Sequence, residues 1–209
     1  SISQAVMLIG LREIYSLVLS ISVMGLFPAN GEDKIEQYFP LKPFWEHSLG
    51  VAVAARFLAK RLRHPNPEEL FVAGLIHDIG KLVERLSQPA EFEKVCILAK
   101  EKKKFFLDAE LELWGFSHAE IGALLAEHWA FPSSLATIVA NHHHPSDVED
   151  NKLAEAASIV HVADCLARSM NIGWSGDPYV PPVDSAALVR LRIDPANDLS
   201  SILFRIQHE

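Results

Sequence analysis

The sequence predicts an all-α fold, and three observations support that prediction. Apolar residues recur at helical spacing in one segment after another along the 209 residues, and no two alternating runs are spaced as a β-hairpin. Helix-start signals precede several of these segments, such as Pro67 followed by two acids and the capping-box pattern Ser117-His118-Ala119-Glu120. The hydrophobic content of 49% is enough for one sizeable core.

The predicted helices follow one another along the chain, and their boundaries have local causes. Residues 28–31 and 40–43 interrupt the first apolar segments, Pro145 stops a later one, and Gly, Pro and Ser are frequent in residues 171–182. Asn66 is expected to cap the segment that carries His77. The predicted segments are approximately Ser3 to Leu26, Glu32 to Tyr38, Phe44 to Leu62, Asn66 to Glu84, Pro89 to Lys103, Ser117 to Trp129, Phe131 to His144, Lys152 to Met170, Asp184 to Leu191 and Pro195 to Gln207.

We expect one helical domain over residues 1–209, with the loop and short helices of residues 171–209 packed on it. The chain opens inside an apolar helical pattern at Ala5 to Ile9, which suggests that further helices precede it in a longer protein. The segment from Ile14 to Phe27 is shorter than the about 20 apolar residues of a membrane span and contains three serines. We therefore expect a buried core helix there and no membrane association.

Composition argues against some classes of function. The net charge of −8 at pH 7 argues against a general nucleic-acid binder, which normally carries a basic stripe. The one basic run, Lys100 to Lys104, is interrupted by Glu101 and is expected to be a solvated helix end. Because Cys96 and Cys165 are the only cysteines, we expect no disulfide framework, which favours a cytoplasmic protein.

The most informative stretch is His77-Asp78, which follows the apolar run Leu70 to Ile76. A helix over that run would be buried on most sides, so the imidazole and the carboxylate are predicted to lie in the core. An ionised carboxylate there costs several kcal/mol unless it is paired or bound to a metal ion. Other parts of the chain are therefore expected to supply its partners.

Further polar side chains fall on apolar helix faces. Asp164 lies four residues after Val160 on the apolar stripe of its helix, and His47 begins the stripe that Val51 continues. Each has an ordinary alternative: Asp164 could cap a neighbouring helix, His47 and His118 could be hydrogen-bonded core histidines, and histidines at a helix end could oppose the helix dipole. The residues predicted to point inward are His47, His77, Asp78, His118, His142, His143 and Asp164.

Taken together, these buried groups are most simply explained by metal binding. Neutral imidazole and ionised carboxylate are the usual ligands of zinc, iron, manganese and nickel. A bound cation would also keep Asp78 and Asp164 ionised in a site of low dielectric constant. The sequence predicts one or two divalent transition metal ions (Fe, Mn, Zn or Ni), and the ligand types leave the choice open.

The order His47, then His77-Asp78, then Asp164 resembles the H…HD…D signature of the HD superfamily of metal-dependent phosphohydrolases. The chain is most similar to one branch, the HDOD (HD-related output domain) family, and the resemblance covers essentially its full length. It implies an orthogonal helical bundle of the HD type. HDOD domains usually begin with additional helices that end in an Asn-Ser motif, which is absent here. The phrases that carry the resemblance are Gly10-Leu11-Arg12, Gly74-Leu75-Ile76-His77-Asp78-Ile79-Gly80-Lys81, His118 to Leu125 with Trp129-x-x-Pro132, and His142-His143-x-Pro145.

The related HD-GYP branch, which hydrolyses cyclic di-GMP, implies more specific roles. By that resemblance a second metal ion is held by His118, His142 and His143, and Lys81 contacts phosphate. Three departures limit the comparison. No acidic residue directly follows the histidine pair, no Gly-Tyr-Pro loop is present, and Pro43 stands where some members have a glutamate for a third metal. Hydrolysis of cyclic di-GMP is therefore not expected.

Two functions from different classes remain. The first is an HDOD output module of bacterial signal transduction that retains the metal site and binds a signalling-protein partner or a nucleotide-type ligand. The second is a metal-dependent phosphohydrolase acting on a nucleotide or cyclic dinucleotide, with Asp78 and Lys81 as catalytic residues. In the second, Asp78 either bridges two ions or positions the nucleophile.

Overall fold

The structure is a computed structural model that describes residues 11–27, 34–206 and 208. Within these ranges the chain forms eleven α-helices, two short 3-10 helices and no β-strand, which confirms the all-α prediction. The α-helices are α1 (Leu11–Gly25), α2 (Leu41–Arg61), α3 (Pro67–Ile76), α4 (Ile79–Ser87), α5 (Pro89–Lys102), α6 (Phe106–Trp114), α7 (His118–His128), α8 (Ser133–Asn141), α9 (Asn151–Ser169), α10 (Ser185–Arg190) and α11 (Leu199–Ile206). The 3-10 helices are Lys34–Gln37 and Pro145–Asp147.

Local capping signals fix several helix starts. Ser117 and Glu120 form the predicted capping box at the start of α7, with each side chain accepting a hydrogen bond from the other residue's backbone N–H. Pro67 is the first residue of α3, as predicted. The Asn66 side chain makes no capping hydrogen bond, so that expectation is wrong. Asp150 caps α9 through the backbone N–H groups of residues 152 and 153.

Other boundaries differ from the prediction for identifiable reasons. Helix α2 begins at Leu41 and not at Phe44, because a proline such as Pro43 is tolerated in the first turn, where its missing N–H has no intrahelical partner. Helix α6 was not predicted, since its short segment has no side-chain cap at its start. The predicted helix from Glu32 is a 3-10 turn over Lys34–Gln37. The predicted helical residues 3–10 lie outside the described residues.

The predicted continuous helix through His77 and Asp78 is wrong, because the chain changes direction there. Helix α3 ends at Ile76 and α4 begins at Ile79. Asp78 has φ −100° and ψ 11°, in the sparsely populated region between the helical and extended conformations, where many active-site residues lie. The break turns the His77 and Asp78 side chains toward a common point that a straight helix would not let them share.

Helix α9 lies at the centre of the bundle and packs against α2, α3, α8 and α10. Almost every residue from Ala154 to Arg168 is buried. Its small side chains, such as Ala157 and Ala163, let the neighbouring helices approach closely. The polar side chains of α9, including Asp164, are therefore enclosed by protein.

The first and last helices lie at the edges of this bundle. Helix α1 contacts α3 and buries Val23, but Leu11, Val18 and Ile21 are exposed, so the predicted core helix is only partly buried. In the described part of the chain, no helix has both the length and the apolar character that crossing a bilayer requires. Helix α10 packs on α9, and α11 packs on α2. The single-domain organisation of residues 1–209 stays a prediction.

Helices α4 and α7 approach each other so closely that their contact excludes any side chain at Gly80. A Cβ atom there would lie 1.9 Å from the carbonyl oxygen of His118 and 2.9 Å from the backbone nitrogen of Gly122. Both atoms belong to helix backbone, which cannot move aside as a flexible side chain would. The glycine thus fixes the spacing between the helices that carry Asp78 and His118.

We predict that Gly80→Ala lowers the free energy of unfolding by about 1–3 kcal/mol or more, because the added methyl group forces α4 and α7 apart. This is the usual cost of overpacking a core. The free energy of unfolding in urea measures this loss. Gly25→Ala is the matched control, since a Cβ at Gly25 meets no atom within 4 Å. Equal stabilities for the two variants would contradict the prediction.

Candidate metal centre

The seven predicted residues lie together where α2, α7 and α9 meet the ends of α3 and α8. Six of the side chains are buried, and His143 is partly exposed. His118 is the first residue of α7, and the two histidines after α8 leave the helix because Pro145 disfavours helical conformation just before it. His144, the third histidine of that run, is exposed and takes no part in the cluster. The sequence prediction that these seven side chains converge is therefore consistent with their positions.

A first group of possible ligands comprises His47, His77 and Asp78, whose ligand atoms lie within 4.8 Å of one another. The Nε2 atom of His77 is 3.4 Å from Asp78 Oδ2 and 3.9 Å from Asp164 Oδ1. The Nε2 atom of His47 is 3.0 Å from the same Asp164 oxygen. Two atoms that bind one transition metal ion at 2.0–2.2 Å lie about 3 Å apart, so these separations suit a shared ion.

A second group comprises Asp78, His118, His142 and His143, again within 4.8 Å of one another. Asp78 Oδ1 lies 3.1 Å from His118 Nε2 and 3.6 Å from His142 Nε2. The Nε2 atoms of His118 and His143 are 2.9 Å apart. Asp78 belongs to both groups and presents a different oxygen to each, so each group could hold a metal ion and the two groups share one carboxylate.

The backbone determines which nitrogen of two of these histidines faces the centre. His77 Nδ1 lies 2.7 Å from the carbonyl of Gly74, and His142 Nδ1 lies 2.7 Å from the carbonyl of Val139. A carbonyl only accepts hydrogen bonds, so Nδ1 carries the proton in each ring. The Nε2 lone pairs of His77 and His142 therefore point toward Asp78, as metal ligands require.

The buried atoms at the centre lack hydrogen-bond partners, which tests whether a metal ion would fit. Nε2 of His47, His77 and His142 and Oδ1 of Asp78 are buried without a hydrogen bond in the described part of the chain. An unsatisfied buried polar atom costs about 1–3 kcal/mol, and four such atoms within one cluster are unusual. Divalent transition metal ions bind such lone pairs, so the residues fit the predicted ions.

Both aspartates remain ionised despite their burial. Burial alone raises the pKa of Asp78, but His77, Lys81 and His118 hold that pKa well below its usual range. Burial likewise raises the pKa of Asp164, and Arg168 and His47 more than offset it, so the net shift is downward. Two carboxylates that stay ionised at neutral pH are suitable ligands for a divalent cation.

Most of the histidines are held neutral, the form that binds metal. Burial lowers the pKa of His47, His142 and His143, and burial together with the nearby Lys81 lowers the pKa of His118 to about 3. His77 is the exception: burial lowers its pKa, but Asp78, Asp164 and the hydrogen bond to Gly74 together raise it by more. Apart from His77, the centre therefore presents neutral imidazoles to ionised carboxylates near neutral pH.

Lys81 is buried next to the cluster and already bound on two sides. Its Nζ donates to Asp78 Oδ2 at 2.8 Å and to the carbonyl of Ser175 at 2.9 Å, and it lies 5.1 Å from the centre of the Phe106 ring. The ammonium group thus neutralises Asp78 in the described conformation. Its predicted contact with phosphate stays a prediction, and two of the three N–H donors are already used in these bonds.

Two charged residues that the sequence analysis missed connect this centre to the loop after α9. Arg168 donates to Asp164 Oδ1 at 2.8 Å and to Asp177 Oδ2 at 2.5 Å, and all three side chains are buried. Asp177 also accepts a hydrogen bond from the backbone N–H of Phe106. Arg168 follows Asp164 by one helical turn, a spacing that could have identified it, whereas nothing in the sequence places Asp177 here.

Glu110 on the unpredicted helix α6 holds His118 in place from behind. Its Oε2 accepts hydrogen bonds from the backbone N–H of His118 at 3.1 Å and from the His118 ring Nδ1 at 2.6 Å. Burial and the adjacent Glu84 raise the pKa of Glu110 well above its usual range.

His161 is a buried histidine outside both groups. Its Nδ1 donates to the carbonyl of His142, and its Nε2 accepts from the backbone N–H of Asp184. Both ring nitrogens are therefore satisfied.

Beside His161, a cavity of about 340 Å³ opens at the cluster. Its polar lining includes His143, Asp164, Arg168 and Asp177, and its apolar lining includes Phe105, Leu111 and Pro182. A ligand in this cavity would lie against His143 of the second group and against Asp164.

Comparison with known proteins identifies the family. The HDOD domain family matches residues 1–145. A crystal structure of an HDOD domain protein with unknown function from Geobacter sulfurreducens is 28% identical, has a TM-score of 0.82, and covers 100% of this chain and 70% of its own. A protein from Shewanella amazonensis SB2B, provisionally named a phosphohydrolase, is 27% identical with a TM-score of 0.75, covering 100% and 72%.

A curated relative of unassigned function comes from Treponema pallidum (strain Nichols) and is 26% identical over 145 residues, which is 68% of this chain. The chain spans only 26% of that relative's length. The family match extends over well more than half of the 209 residues and agrees with the fold of the Geobacter protein. The chain therefore belongs to the HDOD domain family.

Proposed function

We propose that this chain is an HDOD output module of signal transduction whose helices are assembled around a two-ion metal centre. The observation that carries the proposal is the pair of ligand groups that share Asp78, with unsatisfied lone pairs in both. The family membership supports the signalling role. A transition metal ion would supply the positive charge that the clustered carboxylates and imidazole lone pairs otherwise lack.

Each ligand in this proposal comes from a separate part of the fold. His47 and Asp164 hold the first ion from α2 and α9, with His77 between them. His118, His142 and His143 hold the second from α7 and the end of α8. Asp78 belongs to both groups, so its carboxylate would link the ligands from all of these segments. We infer that metal binding stabilises the whole bundle, because the ligands converge only in the folded chain.

We predict that purified protein loaded with Mn, Fe, Zn or Ni holds two ions per chain, measured by elemental analysis. His118→Ala should retain one ion, because only the second group loses a ligand, and Asp78→Ala should retain none. His128→Ala is the matched control, since this exposed histidine lies on the same helix and outside both groups. Wild-type metal content in Asp78→Ala would refute the centre.

We predict that Glu110→Gln weakens the second ion about 10- to 100-fold while the protein stays folded, because the amide keeps the shape of the carboxyl group but cannot ionise to strengthen His118 as a ligand when a cation binds. Competition against a chelator measures the affinity, and circular dichroism checks the fold. Glu112→Gln on the same helix is the control; Glu112 is paired with Lys102 and Lys104 at the surface. Unchanged affinity in Glu110→Gln would show that Glu110 does not support the site.

A second candidate is a metal-dependent phosphohydrolase, which the cavity beside His143 and Asp164 favours. In this reaction metal ions would polarise a phosphoryl group and lower the pKa of a bound water. Arg168 lines the cavity, and its Nη2 is buried without a hydrogen-bond partner in the described part of the chain. That free donor could bind a phosphate oxygen, while the apolar wall could accept a base or another organic group.

If the candidate is correct, metal-loaded protein should hydrolyse at least one compound in a panel of nucleotides, cyclic dinucleotides and bis(p-nitrophenyl) phosphate. Asp164→Asn should abolish this activity, since it removes a charged ligand with little change of shape. Glu155→Gln, on the same helix but outside both groups, should retain it. A panel without turnover on protein shown to hold both ions would reject the hydrolase and leave the output module.

A further inference from the structure

A second cavity lies on the outer side of the loop that follows α9, away from the metal ligands. Its volume is about 430 Å³, within the range of about 300–1,000 Å³ that is usual for small-molecule sites. Three parts of the chain form it: residues 37–40, the C-terminal half of α5, and residues 174–179 of the loop. The lining residues are Gln37, Tyr38, Pro40, Cys96, Lys100, Lys103, Trp174, Gly176, Pro178 and Tyr179.

The lining combines aromatic rings with two lysines. Tyr38, Trp174 and Tyr179 offer flat faces on which an aromatic ring can stack. Lys100 and Lys103 have no acidic partner in residues 11–27 and 34–206, whereas the neighbouring Lys102 and Lys104 both pair with Glu112. The basic run was predicted to be a solvated helix end. Two of its lysines pair with Glu112 at the surface, and the other two line this cavity.

These features match a ligand that has both an aromatic ring and an anionic group. In a chain of net charge −8, two unopposed ammonium groups beside one cavity favour an anion at that place. Phosphate alone would leave the three rings without a role, and an uncharged base would leave the lysines without one. A nucleoside monophosphate satisfies both requirements and is of suitable size for the cavity.

We propose that this cavity is a binding site for a nucleoside monophosphate, with the base stacked among Tyr38, Trp174 and Tyr179 and the phosphate bound by Lys100 and Lys103. The site is distinct from the cavity at the metal ligands, since the two share no lining residue. Binding of the nucleotide does not depend on the proposed metal ions, because none of their ligands lines this cavity; only the coupling described next rests on the proposed metal centre.

The loop also connects this site to the metal centre, because consecutive residues in it contact both. Trp174 and Gly176 line the cavity, and Ser175 and Asp177 are buried. The Ser175 carbonyl accepts the hydrogen bond of Lys81, and Asp177 pairs with Arg168. A nucleotide that displaces Trp174 or Gly176 therefore shifts the groups that hold Lys81 against Asp78 and Arg168 against Asp164. We include this coupling in the proposal as the route by which the module senses its ligand.

Binding is tested on the metal-free full chain with guanosine 5′-monophosphate and adenosine 5′-monophosphate, by isothermal titration calorimetry and by tryptophan fluorescence. We expect saturable binding of at least one nucleotide with a change in fluorescence that Trp174→Leu removes. Guanosine and inorganic phosphate, the two halves of the ligand, should each bind at least about tenfold more weakly. No binding of either nucleotide at millimolar concentration, or equally strong binding of phosphate alone, would overturn the proposal.

The lysines are tested with two variants of equal charge. Lys100→Gln/Lys103→Gln should weaken nucleotide binding by about tenfold or more, because two charge-assisted contacts to phosphate are lost. Lys42→Gln/Lys94→Gln is the control, since it removes the same charge from exposed residues outside the cavity. Equal affinity in the two double variants would exclude the proposed phosphate contacts.

Coupling is tested by repeating the titration on metal-loaded protein. Linkage requires that the metal changes nucleotide affinity by the same factor as the nucleotide changes metal affinity. We expect metal to change the nucleotide affinity and the nucleotide to change the metal affinity. Both changes should be smaller in Ser175→Pro, which alters the backbone at the carbonyl that accepts the hydrogen bond from Lys81. Identical nucleotide affinity with and without metal would overturn the coupling. Absence of metal binding would refute the metal centre alone, since the metal-free titration stands by itself.

Discussion

The structure depends on how one buried carboxylate, that of Asp78, is kept ionised. Burial opposes its charge, and His77, Lys81 and His118 together more than offset that opposition, so its pKa lies well below the usual value. These three partners come from the α3–α4 break, from α4 and from α7. A buried charge left without partners is costly, so helices that supply those partners are fixed in position relative to one another.

Close backbone contact and a broken helix create the geometry that this carboxylate requires. The interruption between α3 and α4 puts His77 and Asp78 on one side, and Gly80 lets α7 approach until His118 reaches the Asp78 oxygen. Behind α7, Glu110 orients the His118 ring through its Nδ1 atom. The residues that position the ligands are thus as specific in their placement as the ligands themselves.

The loop after α9 joins this interior to the surface. Through Ser175 and Asp177 it binds two buried cations, Lys81 and Arg168, each of which also contacts an aspartate of the cluster. Through Trp174 and Gly176 the same loop lines an open cavity. A segment that contacts both a charged core and a ligand-sized cavity could transmit a change from one to the other, which is what the proposed output module requires.

The sequence by itself determined the all-α class, most helix positions, and the set of polar residues that cluster, because apolar periodicity identifies buried faces and a His or Asp on such a face is conspicuous. The resemblance carried by the motif around His77-Asp78 also led to the correct family. Only the tertiary structure decided that the chain breaks at Asp78, that Lys81 is bound and not free, and that Glu110, Arg168 and Asp177 support the cluster. Periodicity reports how each helix faces the core. It contains no information about which residues from distant segments meet there, since those contacts depend on how the helices pack around α9.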